Sequence, residues 1–84
     1  MLNFNLLRIF HIAAQKGSFS AAADELIITQ PTVSAQIKAL EKECGIILFR
    51  RIGKKVELTP SGRTLFRYSK RIFDLSNKIE ELLT

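Results

Sequence analysis

The chain has 84 residues, enough for one domain and not two. Its 46% hydrophobic and 25% charged residues exclude a disordered chain, and 13 Lys and Arg against 8 Asp and Glu leave a formal charge of +5 that calls for an acidic partner, either nucleic acid or an anionic membrane surface. The single Cys44 excludes an internal disulfide, no apolar run reaches the roughly 18–20 residues of a membrane span, and Met1–Asn5 lacks the basic start of a signal peptide, so a soluble domain of the reducing cytoplasm is expected.

The first predicted element is a helix capped by Asn3, with Leu6, Leu7, Phe10, Ala13 and Ala14 at the 3.6-residue period and Gly17 placed for a left-handed C-cap. Ser18 caps a short second helix, Phe19 to about Leu26, whose face is Phe19, Ala22, Ala23 and Leu26. The run Ala21-Ala22-Ala23 lets another helix approach its backbone closely. Ile27-Ile28-Thr29 is a tight turn without glycine, which departs from many helix-turn-helix sequences. Thr29 as cap and Pro31 in the first turn start a third helix, Gln30 to about Glu43, with Val33, Ile37 and Leu40 inward and Gly45 at its end.

The period then shortens. Ile46–Phe49 and Val56–Leu58 are β-prone runs, and Arg50–Lys55 between them, with Gly53, makes the basic tip of a two-stranded wing. Thr59 and Pro60 restart a helix that runs to the end of the chain. Leu65, Tyr68, Ile72, Leu75, Ile79 and Leu82 alternate steps of three and four, an a/d seam, and Phe66 and Phe73 widen it. So broad a face exceeds what a body of about 58 residues can cover. One edge is therefore expected on the chain's own body and the a/d edge on a partner copy. The fold class is mostly α: a winged helix-turn-helix over residues 1–58 and a linker or dimerisation helix over 59–84.

The arrangement of short helix, short turn, Pro-started helix and basic hairpin points to duplex DNA, because a major groove about 12 Å wide admits one α-helix. The outward positions of the third helix are Gln30, Pro31, Thr32, Ser34, Ala35 and Lys38. Gln30 can meet an adenine edge, Pro31 and the Thr32 methyl a thymine methyl, and Ser34 a base or a phosphate. The N-termini of the second and third helices are themselves phosphate sites. The same polar residues also suit a merely solvated helix start. Between Arg50 and Arg71, Arg50, Arg51, Lys54, Lys55, Arg63, Arg67, Lys70 and Arg71 face only Glu57, whereas residues 1–49 are balanced. A solubility patch is the bland meaning of such a run; phosphate contact suits one clustered on a hairpin.

Enzyme chemistry has little to stand on. His11 lacks a carboxylate or cysteine at ligand spacing and is expected at the surface or half-buried, Cys44 is expected as a small apolar filler at a helix end, and no cofactor, metal or nucleophile motif occurs. Two other readings stay open: a helical oligomerisation module that binds protein, and a non-specific architectural coat on DNA. RNA is disfavoured because no outward aromatic platform stands out.

The series Leu7-x-x-Phe10, Gly17-Ser18-Phe19-Ser20-x-Ala22-Ala23-x-x-Leu26, Thr29-Gln30-Pro31-Thr32-Val33-Ser34-x-Gln36-Ile37-x-x-Leu40-Glu41, Gly45-x-x-Leu48-Phe49-x-Arg51 and Leu58-Thr59-x-x-Gly62 closely resembles the N-terminal DNA-binding domain of LysR-type transcriptional regulators. The resemblance implies a homodimer paired antiparallel through the linker helix on an inverted repeat near a promoter, with a tetramer in the full-length protein and no membrane partner. It places the major-groove roles on Gln30, Pro31, Thr32 and Ser34, and backbone or minor-groove roles on the wing around Arg51 and Lys54; the charge run and the start of the second helix add Arg50, Lys55 and Ser18 to the expected backbone contacts. Ala35 departs from the basic residue many members carry there, so Lys38 or the wing is expected to compensate. Members continue into an effector-binding domain. A chain stopping at Thr84 is thus expected to be a fragment in which a small-molecule inducer, which acts through that C-terminal domain, has no effect.

Overall fold

The computed structural model describes residues 2–84, so Met1, the first residue of the expected body and signal-free start, lies outside the described residues. The described chain folds as α1 (Phe4–Lys16), α2 (Phe19–Leu26), α3 (Gln30–Cys44), β1 (Phe49–Ile52), β2 (Lys55–Leu58) and α4 (Pro60–Leu83). Each helix starts where its cap was expected. Asn3 accepts from the Asn5 and Leu6 N–H groups, Ser18 from Ala21, Thr29 from Thr32 and Thr59 from Gly62. Gly17 and Gly45 end α1 and α3 in the left-handed region. Among the described residues no helix is long and apolar enough to cross a membrane.

The glycine-free turn between α2 and α3 is resolved at a cost. Ile27 takes the left-handed C-cap itself, at φ 58°, and its side chain is 91% exposed. A β-branched residue is strained there, and this one recovers nothing by packing. Ile27→Gly should therefore raise stability by about 0.5–1 kcal/mol after glycine's greater freedom in the unfolded chain is counted. A thermal melt showing no rise, or a fall, would mean the turn is not strained.

Three helices enclose the core. Leu7, Phe10, Ala22, Val33, Leu40 and Leu48 are fully buried, and the alanines of α2 allow the close approach of α1 and α3. Phe49 closes the core from the wing side, its ring 5.4 Å from Phe10 and 5.2 Å, edge-on, from Phe19.

The wing corrects two expectations. Of the β-prone run Ile46–Phe49 only Phe49 is in a strand, and the basic tip shrinks from six residues to the two-residue turn Gly53-Lys54. The reason is where the backbone bonds go. Glu41 takes the Ile46, Leu48 and Phe49 N–H groups, and Thr59 donates to the Ile47 and Leu48 carbonyls. Residues 46–48 are thereby occupied before any strand can pair with them. Pairing begins at Phe49 with Leu58 and ends at Ile52 with Lys55, so Arg50 and Arg51 lie within β1. At α3 the expected end moves by one residue, and Cys44 is exposed rather than a buried filler.

His11 is a further correction: it is buried, because α1 is covered on a second side by α4. Its ring stacks at 4.9 Å on Phe66 and lies 5.1 Å from Phe73, and Nδ1 is 2.6 Å from the Ser69 hydroxyl. The Ser69 hydroxyl also lies 3.0 Å from the Phe66 carbonyl, so the buried imidazole nitrogen has a polar partner that is itself tied to the α4 backbone. Burial pushes the imidazole below its ordinary value of 6.5; nearby Asp74 opposes this, and Lys70 and Arg8 reinforce it. The folded chain thus binds this proton less tightly than the unfolded chain. The stabilisation is present above pH 6.5 and is lost as pH falls through the lowered folded value. Melting temperature should drop between neutral and mildly acidic buffer, and His11→Gln should remove that part of the dependence.

The a/d seam of α4 is shared. Leu65 and Ile72 pack with Phe66 and Phe73 against the chain's own core, contrary to the expectation of a seam wholly free for a partner. Tyr68, Leu75, Ile79 and Leu82 remain 55–85% exposed. Rotation of the helix decides this: Leu65, Phe66, Ser69, Ile72 and Phe73 lie on the side turned to α1, and Tyr68, Leu75 and Leu82 on the side turned away.

Candidate nucleic-acid interface

The interface is built where the starts of α2 and α3 meet the wing. Pro31, Thr32, Ala35 and Lys38 are exposed on α3 away from buried Val33, Ile37 and Leu40, and Gln30 is exposed at the start of the helix. Ser34 is half-buried and lines a cleft of about 140 Å³ between α3 and the wing, with Lys38 and Arg51 at the same cleft. The first turn of α3 is pre-ordered. The Thr29 hydroxyl accepts from the Thr32 N–H and lies 2.8 Å from the Thr32 hydroxyl, which fixes the Thr32 side chain.

A residue absent from the expected site joins this tip. Ser20 of α2 donates its hydroxyl to the side-chain amide oxygen (Oε1) of the exposed Gln30 at 3.0 Å, which leaves the NH₂ group as the donor for an outside partner. The only sequence signal was a polar residue one position past the Phe19 face; that it meets Gln30 follows from the angle between α2 and α3. Ser18 is half-buried, and its oxygen is taken up by the α2 cap, so what α2 offers an anion is chiefly its free N–H groups.

The ladder sorts the wing's cations by face. Residues directly opposite share a side of the ribbon, so Arg51 lies with Val56, Phe49 and Leu58 on the side turned to the body. Arg51 reaches across this side, its guanidinium carbon 5.6 Å from the centroid of the Phe19 ring. Arg50 sits with Glu57, and Lys55 with the exposed Ile52, on the outer side, and Lys54 stands at the turn. The expected wing cluster is therefore divided: Arg51 faces the α3 cleft, Lys54 crowns the tip, and Arg50 and Lys55 look away from α3. On α4, Lys70 pairs with Asp74 at 3.1 Å and Arg71 stacks on Tyr68, so those cations are already engaged within the helix.

A family model described as bacterial regulatory helix-turn-helix protein, lysR family, matches residues 4–63. Similar relatives include a RuBisCO operon transcriptional regulator of Allochromatium vinosum, 46% identical over 77 residues covering 92% of this chain and 26% of the relative. Another is the HTH-type transcriptional activator CmpR of Synechocystis, 41% identical over 89% of this chain and 25% of the relative. The chain thus spans about a quarter of the length of the curated relatives it matches. Among solved structures, a BenM DNA-binding domain in complex with catB site 1 DNA superposes with a TM-score of 0.89 at 33% identity, covering 98% of this chain and 91% of that one. A CbnR DNA-binding domain in complex with DNA gives 0.85 at 31% identity, covering 95% and 92%.

Proposed function

Because the chain belongs to the lysR family of bacterial regulatory helix-turn-helix proteins, we propose that it is the sequence-specific duplex-DNA-binding module of a cytoplasmic transcriptional regulator and not an enzyme. α3 is the recognition helix. Its exposed positions Gln30, Pro31, Thr32, Ala35 and Lys38 face the major groove, with Ser34 at the edge of the cleft. Lys54, Arg50, Arg51 and Lys55 neutralise phosphates or enter the minor groove beside it, and the start of α2 at Ser18 meets the backbone. The observation that carries this reading is the solvent-open, pre-ordered first turn of α3 next to a two-stranded basic wing. The solved relatives whose printed descriptions include DNA lend support.

Tyr68, Leu75, Ile79 and Leu82, continued by Leu65 and Ile72, suit a second copy of the chain and so an inverted repeat in the DNA. Each large apolar side chain so covered contributes roughly 1.5–3 kcal/mol. A tetramer is a property we assign to the full-length regulator, and a response to a small-molecule inducer to its effector-binding region.

The deciding experiment compares an inverted-repeat duplex, selected by the chain from a random pool, with its scrambled counterpart at about 0.15 M salt. Tighter binding to the selected duplex, with affinity falling steeply as salt rises, is expected. Equal affinity for both would leave an architectural coat, and no affinity would leave an oligomerisation module. Sedimentation without DNA tests the seam: a monomer at high micromolar concentration would mean that α4 serves its own body alone.

A further inference from the structure

We infer that Glu41 is a positioning residue for duplex binding, acting by fixing the wing relative to the recognition helix; this rests on the DNA-binding reading above. Glu41 is half-buried near the end of α3 and makes no contact with the exposed tip of that helix. Its backbone carbonyl accepts from the Gly45 and Ile46 N–H groups at 2.8 and 3.2 Å. Its side-chain Oε2 accepts from the Leu48 and Phe49 N–H groups at 2.7 and 3.3 Å. One residue of the recognition helix therefore holds nearly every donor of the connection that leads into β1. Phe49 is the first residue of the wing's ladder, so the carboxylate sets where that ladder starts.

The consequence is geometric. Bases are read by α3 and phosphates by the wing, and both contacts form together only if the distance between them is fixed before binding. Hydrogen bonds to a carboxylate are short and strong compared with neutral ones, which suits such a strut. The opposite side of the connection is held by Thr59 through the Ile47 and Leu48 carbonyls, which ties it to α4 but leaves its spacing from α3 to Glu41. Without the carboxylate, the Leu48 and Phe49 N–H groups lose their partner, and the wing is held only by the packing of Leu48, Phe49 and Val56 and by the Thr59 anchor, so its ladder loosens.

Two measurements on the full chain test this. The first needs no DNA: amide hydrogen exchange of Arg50–Leu58 in Glu41→Ala should be about ten-fold faster than in the wild type, with core amides of α1 and α3 keeping their protection. Glu41→Gln keeps one acceptor oxygen in place and should restore most of the wing's protection. Wing amides in Glu41→Ala that stay as protected as in the wild type overturn the proposal. The second is a double-mutant cycle with Lys54→Ala on the selected duplex. In the wild type Lys54→Ala should weaken binding several-fold, and in the Glu41→Ala background it should cost less than about two-fold, because a displaced wing no longer places Lys54 on phosphate. An undiminished Lys54 penalty in that background overturns the positioning role. A Lys54→Ala variant that binds like the wild type overturns instead the wing's phosphate role in the preceding reading, and with it the binding half of this one.

Discussion

Truncation of Gln30 to alanine should relax base preference at one position of each half-site and weaken the selected duplex by about 1–3 kcal/mol, while scrambled duplex is bound as before. The side chain stands on the exposed first turn of α3, and the Ser20 hydroxyl holds its amide oxygen, which leaves the NH₂ group as the donor for a base edge. A donor of that kind discriminates between base edges, because a wrong base leaves it unpaired and desolvated. Lys54→Ala should behave in the opposite way. Lys54 crowns a two-residue turn, and an ammonium on a flexible stem recognises charge rather than pattern. Its removal should weaken selected and scrambled duplexes alike and lower the salt slope by about one. Titrations of both duplexes at two salt concentrations separate the cases. If Gln30→Ala weakens the two duplexes equally, Gln30 touches backbone and the base-reading role falls elsewhere on α3. Ser20→Ala provides a finer check. It should loosen the preference at the same position by less than Gln30→Ala does, since it removes the orientation of the amide and not the amide itself.

What the sequence made legible is what local chemistry settles. Asn3, Ser18, Thr29 and Thr59 mark helix starts because an oxygen one turn ahead of an apolar stripe has few other places to bond. The exposed tip of α3 followed from the same stripe, Val33, Ile37 and Leu40, which leaves the other side to water. The misreadings lie where a residue answers to a distant element. Ile46 and Ile47 have strand-like side chains, but their connection was claimed by Glu41 and Thr59, and β-propensity does not register such competition. A single helical period assigns α1 one buried face, so it leaves His11, on the second face made by α4, at the surface or half-buried. Leu65 and Ile72 alternate with Tyr68 and Leu75 along one seam, and the rotation of α4 against α1 decides which of its edges is covered. In the candidate site, residue types and the division of labour between helix and wing were readable. Ser34's half-burial, the face on which Arg51 lies and the meeting of Ser20 with Gln30 depend on strand register and helix crossing, for which one sequence carries no direct signal.

The joint between wing and α4 should not tolerate an added methyl group, and Gly62→Ala tests it. Gly62 is the third residue of α4, and its N–H donates to the Thr59 hydroxyl at 3.0 Å. Its φ is not in the left-handed region, so an alanine is not opposed by the local backbone. Helix propensity alone would favour alanine by nearly 1 kcal/mol. Packing opposes it more strongly. A methyl group at this position would run into the carbonyl oxygen of Leu48, with the Leu48 carbonyl carbon at 3.1 Å and Leu58 Cδ2 at 3.0 Å. The leucine methyl can rotate aside, but the carbonyl cannot, because it accepts from the Thr59 N–H at 3.0 Å while the Thr59 hydroxyl donates to Ile47 at 2.7 Å. Relief requires α4 to lift from the β1 entrance and break that pair of bonds. Overpacking of this kind costs about 2–3 kcal/mol net, and in a domain of this size that lowers the melting temperature by about 10–20 °C. Ser61→Ala, one residue earlier and exposed, should leave the melt within about 0.5 kcal/mol of the wild type and so serves as the control. A Gly62→Ala chain that melts with the wild type would mean that α4 does not sit against Leu48. The cap at Thr59 would then no longer anchor the wing, and the close contact that joins body, wing and α4 would have to be sought elsewhere.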